Sequence, residues 1–218
     1  MLYQYKDEIR SSLLKKHCSI LLVIAHPDDE VMFFSPLLYF AANNSIKVSI
    51  LCLSNGNYAG LGETRIKELK KSASLYDIQN ENIFIIDNNQ LQDGMNNLWN
   101  TKVISDIVSQ HISMINPQLV FTFDEYGVSK HPNHVATYHG VRYYFTNALN
   151  SNKNNIYGFK LISNNLFRKF IGIFDLIILT LFFNELVILN VFGLRKAYNG
   201  NNMYKFIFYI NSKFSGHK

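Results

Sequence analysis

Residues 18–30 read CSILLVIAHPDDE, and this stretch decides the fold. Cys18 to Ala25 form an apolar run in which Ile20, Val23 and Ile24 are β-branched. A run of this length suits a strand buried on both faces. Four ionisable residues then fall within five positions: His26, Asp28, Asp29 and Glu30. Pro27 stiffens the turn and suits the first position of a helix. Carboxylates in a first helical turn complement the macrodipole, which predicts a helix over residues 28–42.

The alternation continues outward. Residues 46–53 (IKVSILCL), 83–86 (IFII) and 118–123 (QLVFTF) read as further strands. Helices are predicted over 63–76, 98–115 and 134–148. In the first of these Glu63 and Lys67 pair at i,i+4, while Ile66, Leu69, Ala73 and Tyr76 recur at helical spacing. The second is amphipathic through Val103, Ile104, Ile107, Val108 and Ile115. Strands alternating with helices imply one Rossmann-like α/β domain, its sheet mostly parallel and covered by helices on both faces. The chain divides into a polar segment 1–17, a catalytic core 18–165 and a C-terminal part 166–218 of the same domain. Asn-rich stretches at 150–155 and 199–202 read as loops.

Each polar constellation follows the C-terminal end of an expected strand, where open α/β sheets form ligand sites. His26 to Glu30 follow the first, Ser54 to Gly62 the second, Asp87 the third, and Asp124 to His134 the fourth. The acidic run alone has two readings, a capped helix start or half of a metal site. His131 and His134 supply the missing half. They stand three residues apart around Pro132 at an expected helix start, so both can face one cleft. Two His and one carboxylate hold a divalent ion while leaving room for water and substrate. A neighbouring carboxylate can take a proton from water, and a spare His can serve the oxyanion or the leaving amine.

Bulk composition narrows the partners. Of 218 residues 48% are hydrophobic and 17% charged, which excludes a disordered chain. The net charge of +5 comes without a dense Lys/Arg tract, so nucleic acid is excluded as a partner, and an anionic membrane face or a phosphorylated substrate is favoured. Cys18 and Cys52 sit at or within apolar runs and read as buried reduced thiols. Residues 1–17 read neither as a signal peptide nor as a membrane span. No Gly-x-Gly-x-x-Gly follows the first strand, so the dinucleotide-binding signature is missing.

The motif Ala25-His26-Pro27-Asp28-Asp29-Glu30 resembles the signature of the LmbE-like deacetylase superfamily, and within it the PIG-L de-N-acetylases. The likeness extends through Ser54 to Tyr58, Gly62 to Arg65, Ile85 to Asn88, Thr122 to Asp124 and His131 to His134, covering roughly residues 19–165. It implies removal of the acetyl group from N-acetylglucosaminyl-phosphatidylinositol, the second step of GPI-anchor synthesis. It also implies that His26, Asp29 and His134 bind a divalent metal, by similarity Zn2+. By the same resemblance Asp28 is the general base and His131 stabilises the tetrahedral intermediate or protonates the leaving amine. Arg65 and Asp87 fall where relatives contact the sugar, although Arg65 can equally be a structural ion pair. Glu30 is expected to stabilise the helix start. Two positions depart from bacterial relatives. Ser129 stands where some carry Tyr. Asn133 stands where many carry Asp, and is expected to orient His131 by hydrogen bonding. A soluble deacetylase of another glucosamine conjugate and a non-catalytic binding protein on the same fold are the alternatives.

A lipid substrate requires a membrane surface. Residues 171–193 are the most apolar stretch, but Asp175, Asn184, Glu185 and Asn190 interrupt it. A helix and a strand with some apolar surface turned to lipid are expected there rather than a span. Residues 194–214 mix Arg195, Lys196, Lys205 and Lys213 with six aromatics, which suits a headgroup boundary, or else an ordinary last helix packed on the sheet. Reduced thiols and the resemblance together imply an active site on the cytoplasmic side of the endoplasmic reticulum membrane.

Overall fold

The computed structural model describes residues 18–148, 156–161 and 163, with the backbone of strands at 194–199 and 203–208. Segments 1–17 and 171–193 lie outside the described residues. The central strand β1 (Ser19–Ile24) is fully buried from Ile20 onward. It pairs in parallel with β2 (Lys47–Cys52), beyond which lies β3 (Ile83–Ile85). On its other side come β4 (Leu119–Thr122) and β5 (Tyr157–Leu161), also parallel. Two C-terminal strands extend this edge. β6 (Leu194–Asn199) pairs antiparallel with β7 (Met203–Phe208), and β7 lies parallel to β5.

The sheet order β3-β2-β1-β4-β5-β7-β6 reverses direction at β1. From β1 the chain steps outward through β2 and β3, then returns past β1 to β4. Right-handed crossovers therefore lay the helices of the two halves on opposite faces. The reversal opens a crevice at the C-terminal ends of β1 and β4, the place where such sheets hold ligands. The expected α/β fold, mostly parallel, is the one observed.

Besides β5, which was not expected from sequence, elements differ from expectation in three places. The helix predicted over 28–42 is two: α1 (Asp29–Phe33) and α2 (Ser35–Asn43). Pro36 causes the break, because its ring excludes the carbonyl four residues back and it has no N–H to donate. The helix predicted from 98 begins later, as α4 (Thr101–Ile115), after α3 (Gly62–Ser74). Asn100 sets that start by accepting the Lys102 backbone N–H at 2.8 Å. Residues 194–208 hold two strands where a last helix was the competing expectation. Tyr204, Phe206 and Phe208 alternate along β7, a pattern that favours pleated backbone.

After β4 come one short turn, α5 (Gly127–Lys130), and the long α6 (Pro132–Ala148). α4 and α6 pack closely. A Cβ on Gly140 would stand 2.3 Å from Ile104 Cγ2, so only glycine permits the approach. Both cysteines are free and buried. Among the described residues no helix is long and apolar enough to cross a membrane.

Candidate metal centre and active site

His26 stands two residues past the end of β1, where backbone carbonyls are tied by neighbouring segments. Thr122 Oγ1 donates to Val23 O at 3.0 Å, and Ser54 Oγ to Ala25 O at 2.8 Å. This anchoring fixes the direction in which His26 leaves the sheet. His26 Nε2 lies 3.0 Å from Asp93 Oδ1 and 3.1 Å from the side-chain amide of the fully buried Asn133. With the amide oxygen facing His26, the Asn133 nitrogen donates to Gly94 O at 3.2 Å and Asn97 O at 3.3 Å. This arrangement assigns the imidazole proton to Nε2 and leaves Nδ1 for a metal.

His26 Nδ1 faces His134 Nε2 at 3.3 Å. His134 Nδ1 donates to Gly127 O at 3.0 Å, which turns Nε2 inward. Gly127 has φ +56, and a Cβ there would stand 2.8 Å from His134 Cβ, so the turn that supplies this carbonyl needs glycine. Asp29 is divided between two tasks. Its Oδ2 accepts the backbone N–H groups of Ala25 at 3.0 Å and His26 at 2.8 Å, while Oδ1 lies 3.1 Å from His134 Nε2. Potential ligand atoms of His26, His131 and His134 all lie within 4.8 Å of one another. The donors fit a divalent ion: two ring nitrogens and one carboxylate oxygen converge, and each ligand is oriented from behind by a hydrogen bond. His131 is close enough to join them.

Aromatic side chains line this cluster. Phe123 stacks on His134 with ring centres 4.3 Å apart, Phe33 meets the same ring edge-on at 5.7 Å, and Trp99 lies 6.0 Å from His26. The ring of Trp99 is held by its Nε1–H, which donates to Gln92 O at 2.8 Å.

Asp28 stands at the rim with its side chain 48% exposed. Its φ of 123° is a strained conformation for a residue with a Cβ. Three contacts hold it there. Its N–H donates to Glu30 Oε2 at 3.0 Å, its carbonyl accepts from Met32 N–H at 2.9 Å, and its Oδ2 pairs with Arg65 Nη2 at 2.9 Å. Glu30 also accepts the Ser72 hydroxyl, so it braces the helix start as expected. Arg65 is a strut across three loops. Nη2 also donates to Pro27 O at 2.9 Å, and Nη1 donates to Gly56 O at 2.9 Å and Asp93 Oδ2 at 3.2 Å. Gly56, at φ +67, makes room, since a Cβ there would stand 2.6 Å from Arg65 Nη1.

The electrostatics follow from these contacts. Burial disfavours the charged form of His134, but the Asp29 carboxylate and Gly127 carbonyl outweigh it and raise its pKa. Burial lowers that of His131, helped by the positive field of His26 and His134. Burial opposes ionisation of Asp93, yet the hydrogen bond and charge of His26, with Arg65 beside it, bring its pKa below the ordinary value. Asp28 is raised because burial exceeds the help from Arg65.

The structure thus gathers His26, Asp28, Asp29, Arg65, His131 and His134. It does not gather Asp87, which is exposed after β3 and makes none of the contacts that build the cluster. Asp93 is a further carboxylate that this loop delivers to the cluster. Sequence reasoning passed over it because Asp93-Gly94 reads as turn chemistry. Asn133 differs from expectation too. Its side chain orients His26, and only its backbone N–H reaches His131, donating to Nδ1 at 3.3 Å.

A family model described as PIG-L, GlcNAc-PI de-N-acetylase, matches residues 21–145. The probable N-acetylglucosaminyl-phosphatidylinositol de-N-acetylase of Schizosaccharomyces pombe is 43% identical over 160 residues, covering 73% of this chain and 62% of its own length. The corresponding Dictyostelium discoideum protein is 35% identical, covering 78% and 74%. The enzyme so named in Saccharomyces cerevisiae is 46% identical over 129 residues, covering 56% of this chain but only 41% of the yeast protein, so the chain spans less than two thirds of some relatives. Among solved structures, the N,N'-diacetylchitobiose deacetylase of Pyrococcus horikoshii superposes with TM-score 0.50 at 17% identity, covering 69% of this chain and 59% of that one, a likeness of fold. With the family model matched across more than half of its length, the chain belongs to the PIG-L family.

Proposed function

We propose that this chain is a metal-dependent amide hydrolase that removes the acetyl group from N-acetylglucosaminyl-phosphatidylinositol, the second step of GPI-anchor synthesis. One observation carries the reading: His26 Nδ1, Asp29 Oδ1 and His134 Nε2 converge directly beside the exposed carboxylate of Asp28. A divalent ion held by the three, which we assign as zinc, supplies Lewis acidity that polarises the acyl carbonyl and acidifies water.

The chain's own groups do the rest. Asp28 accepts the proton of the attacking water, with Oδ2 held by Arg65. The water oxygen bonds to the acyl carbon. His131, whose Nδ1 accepts the Asn133 N–H, presents Nε2–H to the oxyanion. The C–N bond then breaks as Asp28 passes the water's proton on to the leaving nitrogen, giving acetate and a glucosamine conjugate. In this reading the enzyme works at the cytoplasmic face of the endoplasmic reticulum membrane, as the family resemblance implies.

An acetate-release assay on N-acetylglucosaminyl-phosphatidylinositol tests it. Wild type with zinc releases acetate. Asp28→Asn keeps its metal and loses about 10²–10⁴-fold in turnover, the range for loss of a general base. Equal turnover in both proteins removes Asp28 from its role, and no release by wild type removes the substrate.

A further inference from the structure

Eleven large hydrophobic side chains are exposed among the described residues, and those on the segments that build the metal centre include Met32, Tyr58, Leu61, Met95, Leu98 and Tyr126. Each is tied to the cluster by a neighbour. Met95 and Leu98 lie between Asp93 and Trp99, both of which reach His26. The Tyr58 ring stands 3.0 Å from where a Cβ on Gly94 would be, so it lies against the same loop. Leu61 O accepts the Arg65 backbone N–H at 2.9 Å, and Met32 N–H donates to Asp28 O. Tyr126 precedes Gly127, whose carbonyl holds His134. Leu98 is 87% exposed, the most of any. Surfaces normally scatter such residues singly; their concentration on the segments around the cluster marks a contact surface.

We propose that this rim is a lipid-contact surface that seats the active site on a bilayer; the inference rests on the glycolipid reading above. Reach is the reason. In that substrate the amide is joined to the acyl chains through a glucosamine ring, an inositol ring and a phosphodiester. Withdrawing both acyl chains into water costs more than headgroup contacts return. The mouth must therefore come down to the headgroup layer, and whatever rings the mouth enters it. The rim chemistry suits that layer. Tyr58 and Tyr126 each carry an apolar ring with a polar tip, and Leu61, Met95 and Leu98 reach past the polar zone. Lys130, exposed one turn after Tyr126, faces anionic lipid with the complementary charge.

The test uses the full, zinc-loaded chain and a double variant, Met95→Ser with Leu98→Ser. Both proteins are given the glycolipid in vesicles of phosphatidylcholine and phosphatidylinositol, and separately the water-soluble N-acetylglucosaminyl-inositol phosphate without acyl chains. The variant is expected to lose at least tenfold in turnover on vesicles and to match wild type on the soluble headgroup. Equal turnover of the two proteins on vesicles overturns the proposal, and so does an equal loss on both substrates. Should wild type cleave neither substrate, the deacetylase reading fails by itself. Co-flotation with the same vesicles then decides the surface: weaker flotation of the variant upholds it, and equal flotation overturns it.

Discussion

At the scale of single residues, the site depends on groups behind the ligands as much as on the ligands. Asp93 and Asn133 share the outer nitrogen of His26, so Asp93 sets its tautomer and tilt. Replacing Asp93 with Asn should weaken binding of a divalent metal about 10–100-fold, as loss of an outer partner commonly does; equilibrium dialysis against a chelator reads it. Gly56 is the second such residue. Gly56→Ala meets both a left-handed backbone and the Arg65 guanidinium, and should cost about 1–3 kcal/mol in a denaturation curve. That these residues come together was legible in sequence, because the spacing of His26 with Asp29 and of His131 with His134 is local. Asp93 was not. Its partner lies on another loop, and nothing in the linear order separates a turn aspartate from one that folds back onto an imidazole.

At the scale of elements, strands and helices were legible wherever a hydrophobic period ran long. β1, β2 and β4 fall within a residue or two of expectation, since buried parallel strands are short apolar runs. Errors arose where a local device overrode the period. Pro36 divided one helix, Asn100 delayed another, and β5 escaped notice because Tyr157–Leu161 includes a glycine and a buried lysine whose partner, Glu125, is distant in sequence. The α4–α6 contact offers a test at this scale. Gly140→Ala forces a methyl group into Ile104 and should lower stability by about 1–3 kcal/mol, measured as a fall in Tm without loss of helix content.

At the scale of the whole molecule, the two thiols report on integrity. Burial pushes Cys18 up to about 11 and Cys52 well above its usual value. Both are therefore protonated at pH 8, and a thiol reagent should label neither until the chain unfolds. A thiol pKa raised by folding contributes stability that is present below the unfolded value of 9.0 and is lost as pH rises through the folded one. Alkaline titration should accordingly lower Tm between about pH 9 and 11, and replacing Cys18 with Ala should flatten that fall. The sheet order belongs to this scale as well. The α/β class follows from alternation alone, but the reversal at β1 does not, because neighbours in a sheet are fixed by pairing and not by succession.

The Arg65 strut has a consequence for how the protein can be handled. Its charge is permanent and its acceptors, Pro27, Asp28, Gly56 and Asp93, belong to three different loops. The cavity walls are thus braced by protein alone, so stripping the ion should leave their shape standing. Exchange of one divalent ion for another becomes a local event rather than a refolding. A single preparation can then be emptied and refilled with cobalt, whose visible spectrum would report the ligand field that His26, Asp29 and His134 create.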